Sequence, residues 1–398
     1  MAKDTHKEPG GCCSAGCDGR TAYRFSPAAP PAGAEKVCCG PPADLPSGPF
    51  ERPGYRLLPF VEDFVETAAG PVPKVKTWLD GGDRLGTLQV RWGIRRNQYK
   101  VAPGLYCIGQ PDDNAPVLVT ANYKLSFDIL RSQANLPGAW ILVVDTCGIN
   151  VWCAAGKGTF STAEVIRRVR AVGLQQVVGH RRIILPQLAA TGVSARLVQK
   201  ECGFTVVWGP VRAADLKGFL DAGMKAAPAM RRVTFSLRER LSLVPVELSF
   251  LPRHALWIAA VVFLLSGIGF SLFSIQAAWH RGLWMAAAVA GGIFSGAVLS
   301  PALLPWIPVR WFSAKGALAG LPVGATIAWL LRSHTNGWET AALVIGTVVL
   351  SSYMAMNFTG STPYTSPSGV EKEMRRAIPV QAAALVTTVM LWVAAAFA

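Results

Sequence analysis

Acidic residues are scarce in this chain: 24 Asp and Glu stand against 39 Lys and Arg in 398 residues, and charges of both signs make up only 16%. The formal net charge is +15, which a nucleic-acid binder would gather into a basic patch interleaved with aromatics. No such cluster is present. The basic residues are spread over helix faces and the flanks of apolar runs, so a nucleic-acid partner is not expected. An apolar signal segment is also missing from the N-terminus, and nine cysteines make an odd count. A secreted disulfide framework is therefore not expected, and the soluble part should be cytoplasmic and reduced. Finally, no strand-like run leads into Gly-x-Gly-x-x-Gly, so the usual dinucleotide fingerprint is absent.

What is abundant is apolar residues, 51% of the chain, and they are concentrated at the end. Five runs, at about 255–275, 283–303, 311–331, 339–358 and 377–397, each reach roughly 20 residues, enough for a helix to cross a ~30 Å hydrocarbon core. Their centres hold almost no ionisable residues, which argues against an ion pathway. Gly292 and Gly296 in the second run, and Gly316, Gly320 and Gly324 in the third, are spaced for close helix packing. Arg310, Lys315, Lys372, Arg375 and Arg376 fall in alternate loops, while the other two carry only Arg281 and Arg332. By the positive-inside rule the soluble part lies in the cytoplasm, on the inner face of a multi-pass membrane protein, with the C-terminus outside. Arg231, Arg232, Arg238 and Arg240, in a linker at 231–254, are read as lying against anionic lipid headgroups.

The first 250 residues divide again. Residues 1–54 are rich in Gly, Pro and Ala with few large apolar side chains, the composition of a disordered tail, and hold Cys12, Cys13, Cys17, Cys38 and Cys39. Residues 55–230 alternate short apolar, β-branched runs at 117–120, 140–145, 182–185 and 204–208 with helical patterns at 124–134, 161–172 and 194–202. Ser161 and Glu164 have the spacing of a capping box, and Gly203 closes the last helix. That alternation predicts an α/β doubly wound, Rossmann-like domain with a parallel sheet covered on both faces, followed by an all-α transmembrane domain of five helices.

The most distinctive stretch is Asn-Val-Trp-Cys-Ala-Ala-Gly-Lys at 150–157. Asn150 is a good N-cap and Gly156 a helix stop, so Cys153 falls near the middle of a short helix. Ala154, Ala155 and Gly156 leave room for something flat and bulky to approach. Gly156-Lys157-Gly158-Thr159 looks like the end of a phosphate loop, but Val151 stands where that loop needs glycine and Gly158 where it needs Ser or Thr. A zinc pair of Cys147 with Cys153 lacks visible further ligands. A buried structural cysteine remains the plain reading.

The run 150–157, with Trp152 and Cys153 inside it, resembles the cap-helix signature of the mercury-methylating corrinoid proteins, the HgcA family. A second stretch, Val-Thr-Ala-Asn-Tyr-Lys-Leu-Ser-Phe at 119–127, joins it. That family has a cytosolic corrinoid domain, similar to that of the corrinoid iron–sulfur protein of acetyl-CoA metabolism, followed by five membrane helices. The resemblance implies that the 55–230 domain binds a cobalamin-type corrinoid. Cys153 would be the lower axial ligand of cobalt and the catalytic thiolate, with Asn150, Val151, Trp152, Ala154, Ala155, Gly156 and Lys157 shaping the corrin face. Thr120, Asn122 and Tyr123, after the first strand, would approach the ring. A thiolate donates more charge than imidazole and favours release of methyl from methyl-cobalt(III) with its bonding electrons, as the electrophile Hg(II) requires. The histidine alternative, Asp-x-His-x-x-Gly, is absent.

The implied activity is a corrinoid-dependent methyltransferase making methylmercury. Its implied partners are a ferredoxin-like protein with two [4Fe-4S] clusters (HgcB type) and a methyl-donating methyltransferase of one-carbon metabolism. The chain's own tail cysteines lack cluster spacing; as soft thiolates, Cys12, Cys13, Cys38 and Cys39 are candidate Hg(II) ligands. Two other readings stay open: a membrane-tethered corrinoid methyl carrier of one-carbon metabolism, and a ligand-binding membrane sensor.

Overall fold

The computed structural model describes residues 52–249, 251–362 and 367–398; the five tail cysteines lie outside them. The chain divides into two compact units, with the change at residues 233 and 234 and with residues 91–94 belonging to the second.

The first unit runs β1 (Val61–Val65), β2 (Val72–Val75), α1 (Gly81–Arg91), β3 (Gly104–Gly109), β4 (Val117–Ala121), α2 (Lys124–Gln133) and β5 (Gly138–Val144). It continues through α3 (Val151–Lys157), α4 (Thr162–Ala171), α5 (Leu174–Val177), β6 (Arg182–Leu185), α6 (Ala195–Cys202), β7 (Thr205–Trp208) and α7 (Leu216–Asp221). The strands form one sheet in the order β1-β2-β3-β5-β4-β6-β7. From β5 to β7 the sheet is parallel. Alternate residues serve opposite faces, as the strand repeat requires. Val117, Val119 and Ala121 of β4 join a core with Ala154, Val165 and Val198 of α3, α4 and α6, whereas Leu118 joins Phe127, Leu130, Leu216 and Phe219 of α2 and α7. Two closed faces explain why the strands read as continuous apolar runs.

The four strands and three helices expected in this region are all present, with ends displaced by at most two residues. The sheet, however, is mixed rather than purely parallel. β3 runs antiparallel to β5 over six paired positions, Gly104↔Val143 to Gly109↔Gly138, and β1 and β2 pair antiparallel. The expected capping box at Ser161 is half formed: its Oγ accepts from Glu164 N at 3.2 Å, but the Glu164 carboxylate turns inward to accept from Asp145 N at 2.8 Å.

The second unit holds α8 (Leu237–Leu241), α9 (Val244–Leu248), α10 (Pro252–Gly267), the two-residue strands β8 (Ile268–Gly269) and β9 (Leu272–Phe273), α11 (Ile275–Phe294), α12 (Ser300–Ala302), α13 (Phe312–Leu331), α14 (Gly337–Phe358) and α15 (Pro367–Ala394). Among the described residues, four helices are long and apolar enough to cross a membrane: Ile275–Ala302, Phe312–Leu331, Gly337–Phe358 and Ser368–Phe397. The first expected span is a shorter helix, because the β8–β9 hairpin turns the chain after Gly267. The glycine ladders face α14. A side chain at Gly292 would meet Leu350 Cβ at 2.8 Å, one at Gly320 Ser351 Cβ at 2.6 Å, and one at Gly324 Thr347 Cβ at 3.1 Å, the close approach for which small residues are selected.

Two charges expected at the surface of this unit are buried instead. Arg281, assigned to a loop, lies in α11, where its Nε pairs with Glu339 Oε1 at 2.7 Å and its guanidinium stacks on Trp392. Arg240, assigned to lipid headgroups, is 4% exposed and donates from Nη1 to Pro301 O at 2.8 Å and Ala302 O at 2.7 Å. With Lys315, which donates to Leu304 O at 2.9 Å, it supplies side-chain donors to carbonyls at and just after the end of α12.

Candidate functional site

Among the parallel strands, the chain passes from β4 through α2 to β5 on one face, then from β5 through α3 and α4 to β6 on the other. The helices therefore diverge at the carboxyl ends of β4 and β6, the position where open α/β sheets form their ligand crevices. A cavity of about 390 Å³ lies there, lined by Val119 and Thr120 of β4, Leu185 at the end of β6 and Pro186 after it, and Gly209 and Val211 after β7. Asn150, Val151 and Trp152 of the α3 segment form part of its wall.

The local sequence of α3 fixes its ends. Asn150 Oδ1 accepts from Cys153 N at 2.9 Å, and Gly158 adopts φ 78°, the left-handed C-cap suited to glycine. Between these caps Trp152 is 37% exposed and Cys153 half-buried. Ala154 and Ala155 turn the other way, into the core beneath the helix. Their small size serves that packing: a side chain at Gly192 would meet Ala155 Cα at 3.0 Å. In this structure they therefore support α3 from its buried side rather than standing on its open face. Gly156 is exposed and Lys157 half-buried at the end of the helix.

Cys153 differs from the other described cysteines. Cys107 and Cys147 are buried; burial pushes the Cys107 thiol up to about 12. Burial also raises Cys202, whose Sγ donates to Val198 O at 3.1 Å. No hydrogen bond among the described residues engages Cys153 Sγ. A half-exposed, uncommitted soft donor on a short capped helix is the arrangement a thiophilic metal needs.

Thr120 lines the cavity. Asn122 and Tyr123 are buried and do not line it. Asn122 Nδ2 donates to Asp145 Oδ1 at 2.9 Å, and its Oδ1 accepts from Thr146 N, Thr146 Oγ1 and Gly148 N at 3.0, 2.9 and 3.0 Å. This amide holds the turn between β5 and α3 in place, acting on the Cys153 helix from beneath.

A buried ionic cluster on α2 was not anticipated. Lys124 Nζ bridges Asp83 Oδ1 and Asp128 Oδ2, each at 2.6 Å, and Arg131 pairs with the other oxygens of both, at 2.6 and 2.8 Å. Arg131 also donates to Lys76 O and Trp78 O at 2.6 and 2.9 Å. Burial alone would raise the Asp83 carboxyl, but hydrogen bonds from Lys124 and Arg131 hold it below the usual range. The 124/128/131 spacing on one helix face was the available signal; the Asp83 partner, 41 residues before Lys124, was not legible.

Residues 87–220, which carry the cavity and α3, match the family model of the CO dehydrogenase/acetyl-CoA synthase delta subunit. Among individual proteins, the acetyl-CoA decarbonylase/synthase complex subunit gamma of Archaeoglobus fulgidus is 30% identical over 140 residues, covering 34% of this chain and 29% of its own length. The subunit gamma of Methanocaldococcus jannaschii is 33% identical over 127 residues, covering 31% and 26%. Subunit gamma 2 of Methanosarcina thermophila is 32% identical over 133 residues, covering 32% and 27%. The chain thus spans less than a third of the length of these curated relatives. The similarity expected with proteins of acetyl-CoA metabolism is found over residues 87–220, within the α/β unit.

Proposed function

We propose that this protein is a membrane-tethered corrinoid methyl carrier of one-carbon metabolism. The reading rests on one coincidence: the segment similar to acetyl-CoA decarbonylase/synthase subunits is the segment that forms the switch-point cavity and its Cys153 helix. The residues suit the group. An apolar crevice bounded by Thr120, Trp152 and Val211 offers a surface for a flat macrocycle; Cys153, which does not line the crevice but follows Trp152 on the same short helix, offers a half-buried free thiol as metal donor. A bound corrinoid would supply the cobalt that carries the methyl group. The chain's part is to hold Cys153 at a fixed height through the Asn150 cap and the Asn122 turn, and to keep water from the cavity with Leu185, Pro186 and Val211.

A second reading, methyl delivery to Hg(II), is favoured by Cys153 itself. A thiolate pushes electron density onto a metal more strongly than imidazole, which favours transfer of methyl with its bonding pair to a soft electrophile. Transfer of that kind leaves the protein two electrons poorer than transfer of a methyl cation. It therefore requires a reductant every cycle, for which a ferredoxin-like protein with two [4Fe-4S] clusters is suited; Hg(II) is the substrate. In both readings a methyltransferase of one-carbon metabolism loads the methyl group. The apolar helices lie in the cytoplasmic membrane, with the α/β unit on the cytoplasmic side.

The test is cofactor and acceptor analysis of the purified full-length protein. Stoichiometric cobalt with corrinoid absorption is expected, and a protein without either would overturn both readings and leave a ligand-binding sensor. Methyl transfer to an acetyl-CoA synthase acceptor, with no methylmercury formed from Hg(II), supports the carrier; methylmercury formation coupled to two-electron consumption supports the second reading instead.

A further inference from the structure

The cavity at the carboxyl ends of the strands is walled mainly by apolar side chains, and among the described residues that line it Arg212 is the single charged one. Arg212 follows Val211 and leads into the turn Ala213–Asp215 that opens α7. A second arginine is brought to the same rim. Val211 N donates to Met230 O at 2.9 Å, which ties the turn Pro228–Arg231 to the segment carrying Arg212. Arg231 Nη1 then donates to Gln187 Oε1 at 2.6 Å, and Gln187 stands between Pro186 and Leu188, both of which line the cavity. All of these residues belong to the first compact unit, and both arginines are exposed to a ligand arriving from solvent.

Two guanidinium groups beside an apolar wall attract an anion more strongly than the same groups on an open surface, because the wall screens them less. Arginine donates paired N–H bonds that match the oxygens of a phosphate, which a lysine at either position would not do. The rest of the lining sets the other half of the requirement. Thr120, Ser126 and Asn150 are neutral, and no aspartate or glutamate appears among the described lining residues, so the body of the ligand is uncharged and partly apolar while its anionic group meets the rim. A cobalamin-type corrinoid has that distribution: the side chains of its ring are neutral amides, and its nucleotide tail is joined through one phosphodiester. We infer that Arg212 and Arg231 hold the phosphate of the corrinoid's nucleotide tail and thereby select complete corrinoids over those that lack the tail. The inference rests on the corrinoid reading proposed above, and it adds two binding residues and a specificity to it.

The test uses the full-length chain purified in detergent from cells grown without corrinoid, titrated with cobalamin, with cobinamide phosphate, which keeps the phosphate but lacks the ribose and base, and with cobinamide, which lacks all three. Binding is followed by quenching of tryptophan fluorescence and by the visible absorption of the corrin. The wild type should bind the two phosphate-bearing compounds at least about tenfold more tightly than cobinamide, the worth of one charge-assisted hydrogen bond. Arg212→Gln combined with Arg231→Gln should bring all three to the cobinamide affinity and leave that affinity unchanged, which also reports that the variant is folded. Equal binding of the three by the wild type, a preference for cobalamin that cobinamide phosphate does not share, a preference that survives in the double variant, or loss of cobinamide binding in that variant would each overturn the phosphate site while leaving the corrinoid reading in place. Failure of the wild type to bind any of the three would instead overturn the corrinoid reading itself.

Discussion

Asn150 Oδ1 accepts the backbone N–H of Cys153 at 2.9 Å, so the residue that begins the α3 helix also fixes the thiol proposed to reach the metal. A seven-residue helix has little intrinsic stability, and loss of an N-cap of this kind costs about 1 kcal/mol. Asn150→Ala should therefore leave the α/β unit folded while increasing hydrogen exchange in 151–157 and lowering corrinoid retention through purification. Asn150→Asp, which keeps the cap, should retain both. Wild-type exchange in Asn150→Ala would show that packing alone holds the helix.

Cys153 itself contributes little to the fold, since its side chain is half-buried and among the described residues its Sγ makes no hydrogen bond. Cys153→Ala is expected to unfold within about 0.5 kcal/mol of the wild type, the range of substitutions away from packed or bonded positions. The same variant should shift the visible absorption of the bound corrinoid and lose methyl transfer. An unchanged spectrum would remove Cys153 from the metal.

Beneath the site, Asn122 makes four hydrogen bonds while fully buried. Removing the amide leaves the N–H groups of Thr146 and Gly148 without their acceptor, at about 1–3 kcal/mol for each buried group left unpaired. Asn122→Ala should cost about 2–4 kcal/mol in denaturant unfolding, far more than Cys153→Ala, with exchange rising first at 145–149. A loss below about 1 kcal/mol would mean that the turn is held elsewhere.

The contrast between these residues shows what a sequence can carry. β4, β5, β6 and β7 were legible because each is apolar on both faces and bounded by helical patterns. The caps at Asn150 and Ser161, and the stop at Gly203, were legible because capping is local chemistry. β1, with its Val-Glu-Asp-Phe-Val sequence, and β3 went unread, since their antiparallel pairing depends on partners distant in the chain. Asn122 had the residue type of a turn or a ligand contact; only the fold brings Asp145, Thr146 and Gly148 around it. Arg281 and Arg240 looked like loop and surface charges because their acceptors, Glu339 and the 301–302 carbonyls, are more than 50 residues away.

The Asp83 cluster sets a pH dependence. Its carboxyl ionises more readily when folded than when unfolded, because Lys124 and Arg131 outweigh the burial that opposes charge. The resulting stability is present above the ordinary aspartate value of 3.8 and is lost as pH falls through the lower, folded value. Unfolding free energy should thus decline in acid below about pH 4 to 5. Asp83→Asn should show a shallower decline and, at neutral pH, a loss of about 3 kcal/mol, because two buried cations lose a counter-charge. An identical acid profile in the variant would mean that other carboxylates govern it.

Whether α10 crosses the bilayer decides the side on which the C-terminus lies. Its 16 residues rise about 24 Å at 1.5 Å each, short of a ~30 Å core, yet its end is tied to the ends of longer helices. Arg281 Nη1, near the start of α11, donates to Ser266 O at 3.2 Å, Trp392 Nε1, near the end of α15, donates to Ser266 Oγ at 3.0 Å, and Arg281 pairs with Glu339 at the start of α14. The end of α10 therefore lies at the same level as these three termini. Arg310 lies before α13, and Lys372, Arg375 and Arg376 lie in the first turns of α15, at the opposite end of the bundle. In the orientation proposed above, from the positive-inside rule, that end faces the cytoplasm and the Arg281 end the outside. In that orientation a helix that starts at the Arg310 end, where Arg240 of the preceding segment donates to Pro301 O, and finishes at the Arg281 level would cross, a mismatch of several Å being absorbed by local thinning at modest cost. A phosphatase fused after Ala398 should be active outside the membrane, and a fluorescent protein there should stay dark if exported unfolded; the converse pair of results would mean that only the four long helices cross and that α10 turns back within the bilayer.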